Sequence, residues 1–302
     1  MAEADADGTH KTRDLQNHHL DSTIWDEVAL HDGDIVVASY AKAGAAWVQR
    51  IVAPLIAGGD AAASVGDTAT WVEFRGRPKA ETLAALNGQT RRRILKTHLP
   101  VDALTLSPRA KYIYVGRDAR DVVWSLHDHH MAAADAWREA LNTRPGRVGP
   151  PLDRADPDIR RYYRTWLAEE GRPFWPYWDA LAGWWAQRDR PNVKLVHFND
   201  LKGALPEEIE GLADFLGVEL EPERLPAILE RVSLDQMKAK AGDGPPGGGI
   251  FSGGGGGFIN KGLNGRWRGV LSEDESTAYK EAAKEKLGRE CASWLNHGWR
   301  RL

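Results

Sequence analysis

Residues 34–53 constrain the fold more than any other stretch of the chain. Residues 34–39 (DIVVAS) are apolar and β-branched over a short run, which suits a buried strand. They lead through residues 40–44 (YAKAG) into residues 45–53 (AAWVQRIVA), a good helical stretch. A strand that enters a helix through a glycine-bearing turn is the opening of a βα unit. The pattern recurs, with further strands expected at 94–97 (ILKT), 111–116 (KYIYVG) and 193–197 (VKLVH). Asp118 suits the N-cap of a helix over 119–130. Pro206 opens another helix, with Ile209, Leu212, Ala213 and Leu216 on one face and Gly217 at its end. Strands and helices that alternate without hairpin signals predict an α/β fold, a three-layer sandwich around a parallel sheet.

The chain of 302 residues shows no internal repeat and no linker between independent cores. The expected organisation is a loose tail over 1–20 followed by a single domain over 21–302. Two segments depart from it. Residues 142–158, rich in Pro, Gly, Arg and Asp, read as a surface excursion. Residues 242–257, dense in glycine with Pro245 and Pro246, read as a mobile loop.

The net charge of −3 offers no general attraction to nucleic acid or to an anionic membrane, so any anion site must be local. Cys291 is the only cysteine, which excludes an internal disulfide and a thiolate cluster and suits helix packing. The polar, acidic N-terminus lacks the basic and apolar regions of a signal peptide, and no apolar run is long enough to span a bilayer. A cytoplasmic protein is expected. Thirteen tryptophans, among them Trp166, Trp175, Trp178, Trp184 and Trp185, should mostly form core, with a few left to line an apolar pocket.

Several residues could carry chemistry. A helix N-terminus behind Gly44 offers N–H groups and partial positive charge to an anion, and Lys42 adds a full charge. The same turn also suits an ordinary βα connection with a solvated lysine. Lys96 and His98, two apart at a strand end, fall on one side of the chain. There a neutral imidazole could take a proton beside an ammonium, or a structural histidine could simply be hydrogen-bonded. Arg117 and Ser125 could clamp a phosphate, or pair with Asp118 or Asp121 and with the local helix backbone respectively. His127, His129 and His130 lack an acidic partner at metal-ligand spacing, so no metal is expected.

Taken in order, these segments resemble the cytosolic sulfotransferase family, over most of the chain from about Trp25 onward. Residues 34–49 (DIVVASYAKAGAAWVQ) resemble its 5′-phosphosulfate loop, usually T-Y-P-K-S-G-T-T-W. Residues 94–100 (ILKTHLP) match its K-T-H-x-P segment, residues 111–125 (KYIYVGRDARDVVWS) its 3′-phosphate segment, and residues 258–267 (FINKGLNGRW) its R-K-G-x-x-G-x-W segment.

The resemblance implies transfer of a sulfonate group from 3′-phosphoadenosine 5′-phosphosulfate (PAPS) to an acceptor hydroxyl on a phenol or apolar alcohol. Adenosine 3′,5′-bisphosphate (PAP) would leave, and no metal would be needed. Lys42 and the N–H groups of Gly44, Ala45, Ala46 and Trp47 would hold the 5′ end. Arg117 and Ser125 would hold the 3′-phosphate, with Asn260, Lys261 and Gly262 closing over it. Trp47 would stack on adenine near Phe198, Ser233 and Leu234. His98 would act as general base, Lys96 would steady the sulfonate oxygens, and Lys42 would stabilise the departing oxygen. Trp71, Phe74 and His130 are expected at the acceptor.

The chain departs from the family at Ala43, Ala45 and Ala46, where hydroxyls are usual, and at Asn260, where arginine is frequent. Each hydrogen bond lost to a charged group costs about 1.5–3 kcal/mol, so the alternative is a catalytically impaired protein that binds PAP. A nucleoside kinase is disfavoured, since no Lys-Ser/Thr pair is available to serve magnesium.

Overall fold

The computed structural model describes residues 9–57, 69–171, 176–241 and 262–301. Five strands, β1 (Ile35–Ser39), β2 (Ala69–Trp71), β3 (Ile94–Thr97), β4 (Lys111–Gly116) and β5 (Val193–His197), form one sheet in the order β2-β3-β1-β4-β5. Every pairing in it is parallel. The four strands expected from β-branched runs are present. β2 is an addition, a three-residue edge strand held by its register with β3, Ala69 opposite Ile94 and Trp71 opposite Lys96.

Strand periodicity explains the three layers. Ile35 and Val37 of β1 point to one face and pack with helix α1 (Ala45–Ile56) and helix Leu205–Leu216 through Val48, Ile51, Val52, Leu212 and Leu216. Val36 and Ala38 point to the other, beneath helices Ala119–Ala132 and Tyr177–Ala186 and the long helical segment Glu273–His297. Helix Leu205–Leu216 carries its proline in the first turn and ends on Gly217 at φ 64°, as its sequence dictates. Trp166, Trp178, Trp184 and Trp185 are buried on the second face, where Trp184 stacks on Tyr114 and donates to the Leu99 carbonyl at 3.1 Å. Trp175 lies outside the described residues. Cys291 is buried there too, and burial pushes its thiol up to about 12.

The expectation of a loose tail fails for residues 9–20. Thr9 bridges to Leu106, Gln16 to Asp21 and Leu20 to Phe74, and His18, His19 and Leu20 are buried. The Asn17 side chain makes this possible by accepting from the N–H groups of His19 and Leu20 at 2.8 and 2.9 Å. Residues 242–257 lie outside the described residues. Among those described, no helix is long and apolar enough to cross a membrane.

Candidate active site at the carboxyl ends of the strands

The connection from β1 runs toward β2 and that from β4 toward β5, so the chain parts at the carboxyl ends of β1 and β4, where parallel sheets place ligands. The β1–α1 turn is tight. Lys42 sits at φ 66° and Gly44 at φ 125°, and a Cβ at Gly44 would come within 2.8 Å of the Phe198 ring. Glycine is therefore required on both backbone and steric grounds. Beyond it the first N–H groups of α1 have no partner within the helix, although that of Trp47 turns back to the Gly44 carbonyl at 2.9 Å. Ala45 is buried in the apolar cluster beneath α1, whereas Ala46 is half-buried. Lys42 is half-buried as well. Desolvation, with the charges of Lys96 and Arg117, draws its ammonium down to about 7, against an opposing pull from Asp128.

At the end of β3, Lys96 and His98 face the same aromatic side chain. The Lys96 ammonium lies 4.1 Å from the Trp71 ring centroid and the His98 ring packs edge-on at 4.8 Å. His98 Nδ1 is 2.8 Å from the Ser39 carbonyl oxygen, which can only accept. That contact makes Nδ1 the protonated nitrogen and puts the lone pair on Nε2. Burial, then the Lys96 charge, holds this imidazole well below its usual pKa, so it is neutral at neutral pH. Desolvation draws Lys96 down to about 8, with Glu73 opposing.

Arg117, at the end of β4, does not pair with Asp118 or Asp121. Asp118 caps its helix through the Arg120 N–H and binds the Arg120 guanidinium, and Asp121 accepts from the Gly265 N–H at 2.6 Å. Arg117 instead donates to the Lys42 carbonyl at 3.2 Å, the Leu263 carbonyl at 3.0 Å and Asn264 Oδ1 at 2.8 and 3.1 Å. Its guanidinium also lies 4.2 Å from the Phe198 ring centroid, and burial draws it down to about 10. Residues 262–268 are thus docked over the β4 turn. Lys202 donates to the Gly262 carbonyl at 2.7 Å, Arg266 pairs with Asp128, and Trp267 covers Arg120. Ser125 is half-buried in the helix that follows Arg117. Trp47 packs edge-on against Phe198 at 5.4 Å and donates to the Val232 carbonyl at 3.0 Å, beside Ser233. Leu234 adjoins Gly262. Asn260 and Lys261 lie outside the described residues.

On the far side of His98, Trp71 and Phe74 stack at 4.4 Å, and His19 lies 6.5 Å from Phe74 and 5.2 Å from Trp137. His130 Nδ1 is 2.9 Å from the Tyr162 hydroxyl, and burial draws this imidazole down to about 3. His19 and His129 are likewise held well below their usual value, chiefly by burial. His127 meets the Asp156 carbonyl at 2.9 Å. Among the described residues no cluster of His, Cys, Asp or Glu is arranged to hold a metal.

Sequence reasoning missed three groups at this site. Asn264 holds Arg117, His19 comes from the segment read as tail, and Glu73 lies 1% exposed behind His98. A signal for Glu73 existed. A carboxylate within an apolar, aromatic run (TWVEF) is rarely buried without dedicated donors.

A strand–turn–helix with a glycine cradle, three cations at adjacent strand ends and a neutral imidazole make a setting suited to an anionic ligand. The sulfotransferase domain family matches residues 32–290, and the chain belongs to that family. It is a sulfotransferase. It is 29% identical over 305 residues to the glycolipid sulfotransferase of Mycobacterium bovis, an alignment covering 93% of each protein. A mouse sulfotransferase (SULT7A1) complexed with PAP superposes with a TM-score of 0.69 at 20% identity, over 89% of this chain and 88% of the other. Retinol dehydratase in complex with androsterone and PAP gives 0.69 at 22% identity, over 88% and 83%.

Proposed function

We propose that this sulfotransferase takes its sulfonate group from PAPS and passes it to a hydroxyl on a largely apolar acceptor. The observation that carries the reading is the convergence of Lys42, Lys96 and Arg117 around a neutral His98. Desolvation lowers the proton affinity of all three, and the Lys96 and Arg117 charges lower that of Lys42 further, as expected of groups gathered for a polyanion. The Gly44 turn fits the same ligand, because it delivers the chain into α1 with the first helix N–H groups available to an anion, and a side chain there would meet Phe198. The donor, when bound, supplies the sulfonate and departs as PAP.

In this reading Lys42 and the N–H groups of Gly44, Ala45, Ala46 and Trp47 hold the 5′ end, and Lys42 offsets charge on the departing oxygen. Arg117 and Ser125 take the 3′-phosphate, with Lys261 and Gly262 over it. Trp47 and Phe198, with Ser233 and Leu234, border the adenine. His98 receives the acceptor's proton on Nε2, while its Nδ1–H stays on the Ser39 carbonyl and fixes the ring. Lys96 steadies the sulfonate oxygens. Trp71 and Phe74 supply an apolar wall, and His130 a polar group beside it. A phenol and an apolar alcohol both suit that wall. The mycobacterial relative's name adds a glycolipid, which joins hydroxyls to an apolar body.

Three measurements test this. Calorimetric titration with PAP at pH 8 should show binding accompanied by proton uptake. Lys42, near 7 without ligand, and Lys96, near 8, both regain protons beside a polyanion. Radiolabelled sulfonate should move from PAPS to at least one of a phenol, a steroid alcohol and a glycolipid. Arg117→Ala should weaken PAP far more than AMP. PAP binding without transfer to any acceptor would favour a nucleotide-binding protein that has lost turnover, which the apolar Ala45 already suggests. Magnesium-dependent ATP binding would overturn both.

A further inference from the structure

Glu73 lies two residues beyond β2 and touches neither end of the proposed reaction, yet its carboxylate joins three parts of the site. Oε1 accepts from the His98 backbone N–H at 2.7 Å and from Trp71 Nε1 at 2.7 Å, and Oε2 accepts from Trp25 Nε1 at 3.0 Å. All three partners are N–H groups that can only donate, so the arrangement favours the ionised form. Burial works against that charge and raises the group above the ordinary carboxylate range, while the three donors work the other way. Buried carboxylates are retained when they are paired and fully hydrogen-bonded. Here the countercharge is Lys96, whose ammonium rests on the ring of the same Trp71 that donates to Glu73.

We propose that Glu73 is a positioning residue of the transfer site, one that locks His98 and Trp71 in a single frame beneath the Lys96 side chain. The inference rests on the sulfonate-transfer reading above but adds a function for a residue outside it. The frame has a mechanical part. The His98 N–H, the Trp71 indole and the Trp25 indole converge on one carboxylate, so the imidazole, the ring it packs against and the segment around Trp25 cannot shift independently. It also has an electrostatic part. The charged or titratable groups around Lys96 are Lys42 from the β1 turn, His98 from β3, His129 from helix Ala119–Ala132 and Glu73 from the end of β2. Of these only Glu73 is an anion. Without it, burial acts on Lys96 unopposed, and its ammonium is lost at lower pH.

The test is Glu73→Gln in the full chain, read in two independent ways. Spectra of 13C-labelled lysine follow the Lys96 titration, and those of 15N-labelled histidine report the His98 tautomer. Neither needs turnover, so both stand even if the sulfonate-transfer reading fails. The second readout is the pH profile of sulfonate transfer from PAPS to 2-naphthol. In the wild type the ammonium is present below about 8 and lost above it. In Glu73→Gln the Lys96 midpoint should fall by about one unit, a tenfold change in its equilibrium, and the alkaline limb of turnover should fall with it. The His98 Nδ1–H signal should also lose its single environment. The amide NH2 that Glu73→Gln introduces would oppose the Trp25 indole N–H, so Glu73→Gln with Trp25→Phe provides a variant without that conflict. Trp25→Phe alone removes one donor but no charge, and should lower stability while leaving the Lys96 midpoint in place. An unshifted Lys96 midpoint in the folded Glu73→Gln or double variant would overturn the electrostatic role. An unchanged His98 signal would overturn the mechanical one. Failure of the wild type to transfer sulfonate, with both spectral shifts present, would count against the function and not against Glu73.

Discussion

At the amino ends of β1 and β3, Asp34 and Arg93 bury opposite charges against each other. Asp34 Oδ1 accepts from Arg93 Nε at 2.9 Å, its other oxygen accepts from Nη2, and the side chains are 2% and 1% exposed. The remaining guanidinium bonds go to the carbonyls of Ala29 and Leu86. At the carboxyl ends of the same two strands and of β4, Lys42, Lys96 and Arg117 crowd together, and desolvation draws each below its ordinary value. One end is matched ion for ion; the other concentrates positive charge that a ligand would complete. Buried charge by itself therefore does not mark a site in this sheet. Charge gathered with one sign in excess, beside a neutral base and a glycine cradle, does.

The largest effect expected from this contrast is on stability. Asp34→Ala strands the Arg93 guanidinium in the core and should cost about 3–5 kcal/mol, read as a lowered denaturant midpoint. Replacing both partners with apolar residues, Asp34→Leu with Arg93→Met, should recover most of that loss. The surviving folded protein should still bind PAP. Loss of PAP affinity in the folded double variant would mean that the two ends of the sheet are coupled and the contrast is false.

At the other end the expected loss is in rate. His98→Ala should lower sulfonate transfer by about 10²-fold or more, equivalent to about 2.7 kcal/mol of barrier, and leave PAP affinity within a few-fold. Stability should move little by comparison. Undiminished turnover would remove His98 from the chemistry.

This division also governs what the sequence made legible. The strands β1, β3, β4 and β5 and helix Leu205–Leu216 follow from local patterns, because β-branched runs, Pro206 and Gly217 act over a few residues. The motif residues Lys42, Lys96, His98 and Arg117 meet because strand ends in a parallel sheet must. β2 was not legible, since three residues form a strand there only by pairing with Ile94–Lys96. Nor were the bonds of Glu73, whose partners Trp25 and His98 lie 48 and 25 residues away in the chain. His18 and His19 read as tail because a polar pair carries no periodic signal, and their burial depends on the Asn17 side chain.

The alanines of the β1–α1 turn sharpen the comparison at a smaller scale. Ala46 is half-buried, so Ala46→Thr can present a hydroxyl to a ligand at the helix N-terminus, and should tighten PAP by about tenfold through one charged hydrogen bond of about 1.5–3 kcal/mol. Ala45, 4% exposed among Ile and Val side chains, should behave differently. Ala45→Thr adds volume to a filled core, with an expected cost of about 1–3 kcal/mol in stability and less gain in affinity. Equal tightening by both substitutions would show that position 45 reaches the ligand after all.

The smallest effect concerns Asn264, whose neutral amide covers one edge of Arg117. Its Oδ1 takes two N–H groups of Arg117, and its amide nitrogen donates to Asn199 Oδ1 at 2.5 Å, so the side chain is held on both sides. A phosphate that is to use the same guanidinium edge must first displace this amide. A neutral hydrogen bond contributes only about 0.5–1.5 kcal/mol net, whereas one to a charged oxygen contributes about 1.5–3, so the exchange favours the ligand but surrenders part of its gain. Asn264→Ala removes the competitor and should tighten PAP by a few-fold. The Leu263 and Lys42 carbonyls still orient Arg117 in that variant, so the guanidinium stays in place. AMP, which lacks the 3′-phosphate, is the control, and both titrations belong at one ionic strength because exposed charge is screened by salt. Tightening confined to PAP would place the 3′-phosphate on the Arg117 edge that Asn264 now covers. Equal tightening of PAP and AMP, or none, would mean that Asn264 serves only to anchor residues 262–268, and that Arg117 meets the nucleotide elsewhere or not at all.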